Sequence, residues 1–177
     1  MKHTHYIRQS RLFCMYRNHV LDVAPYLIGK KVLEFGPNKG WLFENHYPQT
    51  LSYMLVEPNP LFEQGYRQLQ KKHRNLSYRI CGFEDYRSDE RFDTIVMMAV
   101  ISHIRGMKPE AIVERIDALL QPGGHLIVET NNTRRNLDVF ALLDKRCEKL
   151  VVQPSYAGLM RRLKIDSRDV HIYRKRV

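Results

Sequence analysis

Two hydrophobic patterns alternate along the chain. From Tyr6 to Leu27, apolar residues (Ile7, Phe13, Tyr16, Val20, Val23, Ala24, Leu27) return at roughly helical spacing, which predicts an N-terminal helical cap over residues 1–29. Pro25 and Gly29 end or break it before the next element. Short apolar runs then follow at intervals. KVLEF, LSYMLVEP (stopped by Pro58 and Pro60), LSYRICG, the start of FDTIVMMAVISHI, and HLIVETNN after the turn QPGG each read as strands. The fourth is apolar at successive positions, as expected for a parallel strand covered on both faces.

Between these runs the period changes to that of amphipathic helices. NPLFEQGYRQLQKKH is helical but weakened by Gly65, and PEAIVERIDALL is helical with Pro109 near its first turn, where proline is tolerated. LDVFALLDK reads as a further helix, while KLVVQ and DVHIYRKRV read as two closing strands. The predicted fold class is α/β: a doubly wound, mostly parallel seven-stranded sheet with helices on both faces. The expected divisions of one domain are the cap, a core over residues 30–132, and a C-terminal helix with closing strands over 133–177. Ligands of such sheets bind beyond the carboxyl ends of the strands, here near Gly36, Glu57, Phe83, Met98 and Thr130.

Composition narrows the class without choosing a function. The chain has 177 residues, 44% hydrophobic and 27% charged, an ordinary globular balance. No apolar run approaches the roughly 20 residues that span a bilayer, and the opening MKHTHYIRQSRLF lacks a signal-peptide core. Three cysteines (Cys14, Cys81, Cys147) are an odd number without metal-ligand spacing, which predicts reduced thiols and a cytoplasmic location. The net charge of +10 is concentrated at the ends: +5 over residues 1–31, −2 over 32–144 and +7 over 145–177. Basic ends raise the local concentration of an anionic ligand, or merely keep a surface solvated.

Chemistry enters with the segment KKVLEFGPNKGW. A strand runs into a turn whose glycines, Gly36 and Gly40, let backbone approach a ligand closely. Glu57, about twenty residues beyond Gly36 at the next strand end, is placed to accept bonds from both hydroxyls of a ribose. Asn38 stands where a dinucleotide-binding turn has its middle glycine, which weakens a dinucleotide-phosphate reading.

These segments resemble the class I S-adenosylmethionine (SAM)-dependent methyltransferases from about Lys31 to Asn132. VLEFGPNKG resembles the family's first motif, LVEPNP its ribose-binding acid segment, CGFEDY the third-strand end flanking adenine, FDTIV its fourth strand and LLQPGGHLIV the turn into the fifth. The resemblance implies SAM as cofactor and S-adenosylhomocysteine (SAH) as product. Glu34 would sit under the methionine end, Gly36 and Gly40 would let the loop pass beneath the sugar, Glu57 would grip the ribose, Phe83 and Glu84 would border adenine, and Met98 would lie near the sulfonium. Phe83 replaces a frequent aspartate, so hydrogen bonding to the adenine amine would fall to Glu84. The side chain of Asn38 must point away or itself contact the cofactor.

Methyl transfer needs nucleophile, methyl carbon and sulfur in line, and a base only for a protonated acceptor. His103 is the candidate base by type and position. It resembles the histidine of an EH pair in many small-molecule members of the family. Ser102 replaces the glutamate, so no metal role is expected of that pair. Acceptor contacts are expected from Tyr6 and Tyr16 in the cap and from Asn131 and Arg134 after the fifth strand. Arg134 and Arg135 suit an anionic acceptor.

The leading expectation is therefore an enzyme that methylates oxygen or nitrogen of a small molecule. An RNA methyltransferase using its basic ends and a non-catalytic SAM-binding partner subunit are the alternatives. The chain lacks an Asp/Asn-Pro-Pro-aromatic motif after the fourth strand, and no cysteine is placed to attack a pyrimidine ring.

Overall fold

The computed structural model describes residues 23–46, 49–130, 134–154 and 168–177. Seven strands form one sheet: β1 (Lys31–Phe35), β2 (Ser52–Val56), β3 (Leu76–Arg79), β4 (Phe92–Met98), β5 (Leu120–Thr130), β6 (Cys147–Pro154) and β7 (Asp169–Lys175). Their order is β3-β2-β1-β4-β5-β7-β6. The first five are parallel, and β7 runs antiparallel between β5 and β6. From β1 the chain winds out to β3 and then crosses back to β4. The reversal falls between the carboxyl ends of β1 and β4, and open α/β sheets bind ligands in the crevice at such a point.

Helices cover both faces because the central strands bury side chains on both. Leu33 and Phe35 of β1 pack with Ile95 and Met97 of β4 beneath Ile112, Val113 and Ile116 of α4 (Pro109–Leu119) and Val139 and Leu143 of α5 (Arg134–Arg146). On the other face Val32, Tyr53, Leu55 and Val96 meet Leu27 of α1 (Ala24–Leu27), Phe43 of α2 (Trp41–His46) and Tyr66 of α3 (Glu63–Lys72). Each fully buried aliphatic or aromatic side chain here contributes about 1.5–3 kcal/mol of transfer free energy.

Three details depart from the sequence pattern. Pro25 lies within the first turn of α1, where its missing N–H costs nothing, and Gly29 (φ 66°) ends that segment. The helix expected upstream, with Tyr6 and Tyr16, lies outside the described residues. NPLFEQGYRQLQKKH divides into a 3₁₀ turn (Pro60–Phe62) and then α3, with Asn59 capping the turn through its side chain (Leu61 N–H to Oδ1, 3.1 Å). QPGG is looped out of the β4–β5 ladder: Leu120 pairs with Phe92, and pairing resumes with His125 opposite Thr94. Among the described residues, no helix is long and apolar enough to cross a membrane.

Candidate active site

The floor of the crevice is the turn after β1. Gly36 (φ 66°) extends the ladder one step, its N–H donating to the Val56 carbonyl at 2.9 Å. A Cβ at this position would stand 2.8 Å from Val100 Cγ2, so the loop after β4 lies directly against the loop after β1. Asn38 is also left-handed (φ 58°). Asparagine is the side chain that tolerates this region best after glycine, which explains how it can stand where a dinucleotide-binding turn has its middle glycine. Its role is through the backbone: its N–H donates to Glu57 Oε2 at 3.2 Å, and its carbonyl accepts from the Tyr66 hydroxyl.

Two acids line this side, each only 4% exposed. Glu57 accepts one backbone N–H on each oxygen, Asn59 on Oε1 (3.0 Å) and Asn38 on Oε2. Glu34 accepts from the Tyr53 hydroxyl at 2.9 Å. Burial pushes Glu34 up to about 7; the Tyr53 bond opposes the shift and the charge of Glu57 adds to it. Burial also raises Glu57, against the two N–H donors that favour its ionised form.

The turn after β3 closes around Gly82, whose carbonyl accepts the N–H groups of Asp85 (3.2 Å) and Tyr86 (3.1 Å). Phe83 is 4% exposed, its ring edge-on to Phe35 at 4.9 Å. The ring belongs to the core, so what residue 83 offers a ligand is its backbone. Glu84 folds its carboxylate over Gly82, 2.8 Å from where a Cβ would be. Met98 ends β4, half-buried against the second core cluster.

Beyond β4, Ala99 takes a left-handed conformation (φ 57°), its N–H donating to the Glu129 carbonyl at 2.8 Å. The chain then enters a 3₁₀ turn (Ile101–His103) with the imidazole of His103 on the exposed rim. Partial burial lowers the pKa of His103, and the cations Arg168 and Arg105 lower it further; at neutral pH the ring is neutral and able to accept a proton. Arg168 leads into β7, its Nη1 lying 3.9 Å from Oε2 of the fully buried Glu129. Arg134 is exposed at the first residue of α5, and Asn131 lies outside the described residues. Among the described residues, no group of three or more His, Cys, Asp or Glu could hold a metal.

Pattern reading along the chain missed Tyr53, Tyr66, Val100, Glu129 and Arg168. For Tyr53 there was a signal: a tyrosine in a buried strand needs a hydroxyl partner, and Glu34 on the neighbouring strand supplies it. Val100 had none, because its importance lies in contact with a loop far away in sequence.

Residues 8–164 match the family described as a methyltransferase domain. The ubiquinone biosynthesis O-methyltransferase of Vibrio parahaemolyticus is 29% identical over 154 residues, 85% of this chain and 61% of that protein. The protein of the same name from Bradyrhizobium sp. is 31% identical over 117 residues, 66% of this chain and 45% of its own length. The chain thus spans about half the length of these curated relatives. In fold it is similar to the N-methyltransferase NodS of Bradyrhizobium japonicum in complex with SAH, with a TM-score of 0.68 and 17% identity over 96% of this chain and 87% of that one. This chain belongs to the class I SAM-dependent methyltransferases.

The residues on the crevice floor suit that cofactor. Ribose hydroxyls need acceptors, and each Glu57 oxygen has a lone pair left after its one backbone bond. Asn59 Nδ2, buried without a hydrogen-bond partner among the described residues, is a further donor on the same turn. An ammonium or sulfonium cation complements Glu34, whose ionisation burial and the charge of Glu57 disfavour.

Proposed function

We propose that the chain is a SAM-dependent methyltransferase that transfers a methyl group to an oxygen or nitrogen of a small, anionic molecule. The observation that carries this reading is the contact between Gly36 and Val100: the turn bearing His103 rests against the glycine turn. One loop would hold the cofactor and the other would present a base. When bound, the cofactor supplies a methyl carbon activated on sulfur.

In this reading Glu34 holds the cationic end, Glu57 the ribose, and the backbone at Phe83 and Glu84 the adenine, with Met98 beside the reacting centre. His103 accepts the proton released by a hydroxyl or protonated amine. Arg168 and Arg105, which already shift His103, would hold an anionic group of the acceptor. Arg134 stands on the same side of the sheet and would add to that field. The free thiols of Cys81 and Cys147 fit a reducing, cytoplasmic setting.

Methyl transfer from labelled SAM to a panel of phenolic and amine acids tests the reading, with His103→Gln alongside. The variant should lose about 10²–10⁴-fold in kcat and keep the SAM affinity of the unaltered chain. Equal kcat would remove His103 as base. Failure of the unaltered protein to bind either SAM or SAH would remove the function itself.

A further inference from the structure

The turn after β3 is held from outside by an arginine that no motif accounts for. Arg115, on α4, reaches back to donate Nη1 to the Phe83 carbonyl (2.9 Å) and to the Glu84 carbonyl (2.6 Å). Its guanidinium also lies over the Phe83 ring, 5.7 Å from the centroid, a cation–π placement. Arg87 converges on the same spot, donating Nη1 to the Glu84 carbonyl (2.8 Å) and to that of Tyr86 (2.9 Å). One peptide oxygen on this loop thus receives two guanidinium groups. A surface turn that needed only to be capped could take a single donor or water.

The consequence lies on the other side of the peptide. In a trans peptide the N–H and C=O point in opposite directions, and the described residues have no cis bond. Because the Phe83 carbonyl is drawn toward α4, the Glu84 N–H is turned away from that helix. Its neighbours Asp85 and Tyr86 spend their N–H groups on the Gly82 carbonyl; no hydrogen bond is formed by the Glu84 N–H among the described residues. The Glu84 carboxylate meanwhile folds over Gly82, in the space that a side chain at 82 would fill. One residue therefore presents a fixed N–H donor and a carboxylate acceptor together. Adenine carries the complement on one edge: N1 accepts and the exocyclic amine donates. Phe83 cannot serve there, since its ring is committed to Phe35 and the core.

We propose that Arg115 is a positioning residue, which orients the Phe83–Glu84 peptide so that Glu84 reads the edge of the cofactor's adenine with its N–H and carboxylate. The proposal rests on the cofactor reading above and assigns its base specificity to a helix remote from the glycine turn. Hypoxanthine makes the test sharp, because it carries a hydrogen on N1 and an oxygen in place of the amine. Both groups would then oppose those of Glu84.

Calorimetry should compare SAH with S-inosylhomocysteine on the unaltered protein and on Arg115→Met, with a thermal melt of each. The unaltered protein should bind SAH at least tenfold more tightly than the inosyl analogue. Arg115→Met should weaken SAH about tenfold, leave the analogue unchanged and so erase the preference. Preference retained in Arg115→Met overturns the proposal, as does equal binding of the two ligands by the unaltered protein. Absence of any SAH binding would instead sink the underlying cofactor reading and this proposal with it. Should Arg115→Met fail to fold, Arg115→Lys decides: it keeps the charge but not the planar fork, and it should lose at least half of the discrimination on a logarithmic scale. Full discrimination with lysine overturns the positioning role.

Discussion

On the β1–β2 side of the crevice the charged groups are Glu34 and Glu57, buried and bonded to Tyr53 or to backbone N–H groups. On the β4–β5 side the cations Arg105 and Arg168 stand beside the imidazole of His103, on a rim that also holds the fully buried Glu129. The first side is acidic and its geometry is set by the sheet ladder and one turn. The second is basic and is assembled from side chains on three separate segments. A site that must hold one invariant cofactor can be built into backbone. A site that selects an acceptor is more economically built from side chains that change without disturbing the sheet.

The largest predicted effect comes from breaking the contact that joins the two sides. Gly36→Val adds a branched side chain at φ 66°, with its Cβ 2.8 Å from Val100 Cγ2. Overpacking and backbone strain together should cost about 4 kcal/mol of stability and abolish SAH binding. Urea unfolding measures the first and calorimetry the second. A loss below about 1 kcal/mol would mean that the loops separate easily and the two sides are independent.

The two sides should also answer pH in opposite senses. Glu34 titrates near 7 in the folded chain against 4.5 as its ordinary value. Between those values the folded state binds more protons than the unfolded one, so stability falls as pH rises from about 4.5 to 7. The shift corresponds to about 3 kcal/mol, present at the acid end of that window and lost by its upper limit. His103 is shifted down, so its contribution is lost as pH falls below its ordinary 6.5. Glu34→Gln mimics the protonated acid. Its stability relative to the unaltered chain should rise by about 3 kcal/mol between pH 5 and 8 in chemical unfolding; a flat difference would show that Glu34 is ionised throughout.

What could be read from sequence follows the same division. KVLEF, LSYMLV and FDTIVMM were legible as strands because burial on both faces leaves unbroken apolar runs. Gly36, Asn38, Gly40 and Glu57 were legible as neighbours because a single turn and the next strand end carry them, and the Asn38 N–H does meet Glu57. The bond of Tyr53 to Glu34 requires the β1–β2 register, in which Val32 lies opposite Tyr53, and no local pattern states a register. Phe83 was expected at adenine from its place in the motif, yet an aromatic ring at a strand end gains more from the Phe35 core than from a wet crevice. Arg168 and Glu129 meet only because β7 inserts beside β5 in reverse, a topological fact beyond any local spacing.

A smaller effect tests how the acidic side is wired. Glu57→Gln keeps the shape but turns an amide donor toward one of two backbone N–H groups, those of Asn38 and Asn59. The unsatisfied pair should cost about 2 kcal/mol in SAM binding, roughly thirtyfold in Kd, read by calorimetry. On the basic side, kcat for an acceptor already at saturating SAM should change little. A variant that lost kcat but not affinity would place Glu57 with the acceptor and undo the division.

The smallest prediction concerns the residue that turns the chain from one side to the other. Ala99 holds φ 57° after β4 and leads directly into Val100 and the turn of His103. Replacing an ordinary residue by glycine costs about 0.4–1 kcal/mol, through the added freedom of the unfolded chain. At a left-handed position the folded state gains, because the Cβ clash of roughly 1–2 kcal/mol is removed. For Ala99→Gly the gain matches or exceeds the cost, so urea unfolding should show no loss and up to about 1 kcal/mol in favour of the variant. A loss near 1 kcal/mol, the ordinary cost of a glycine, would show that position 99 is not held left-handed. Val100 would then owe its place over Gly36 to packing alone, and the join between the two sides would be a soft one.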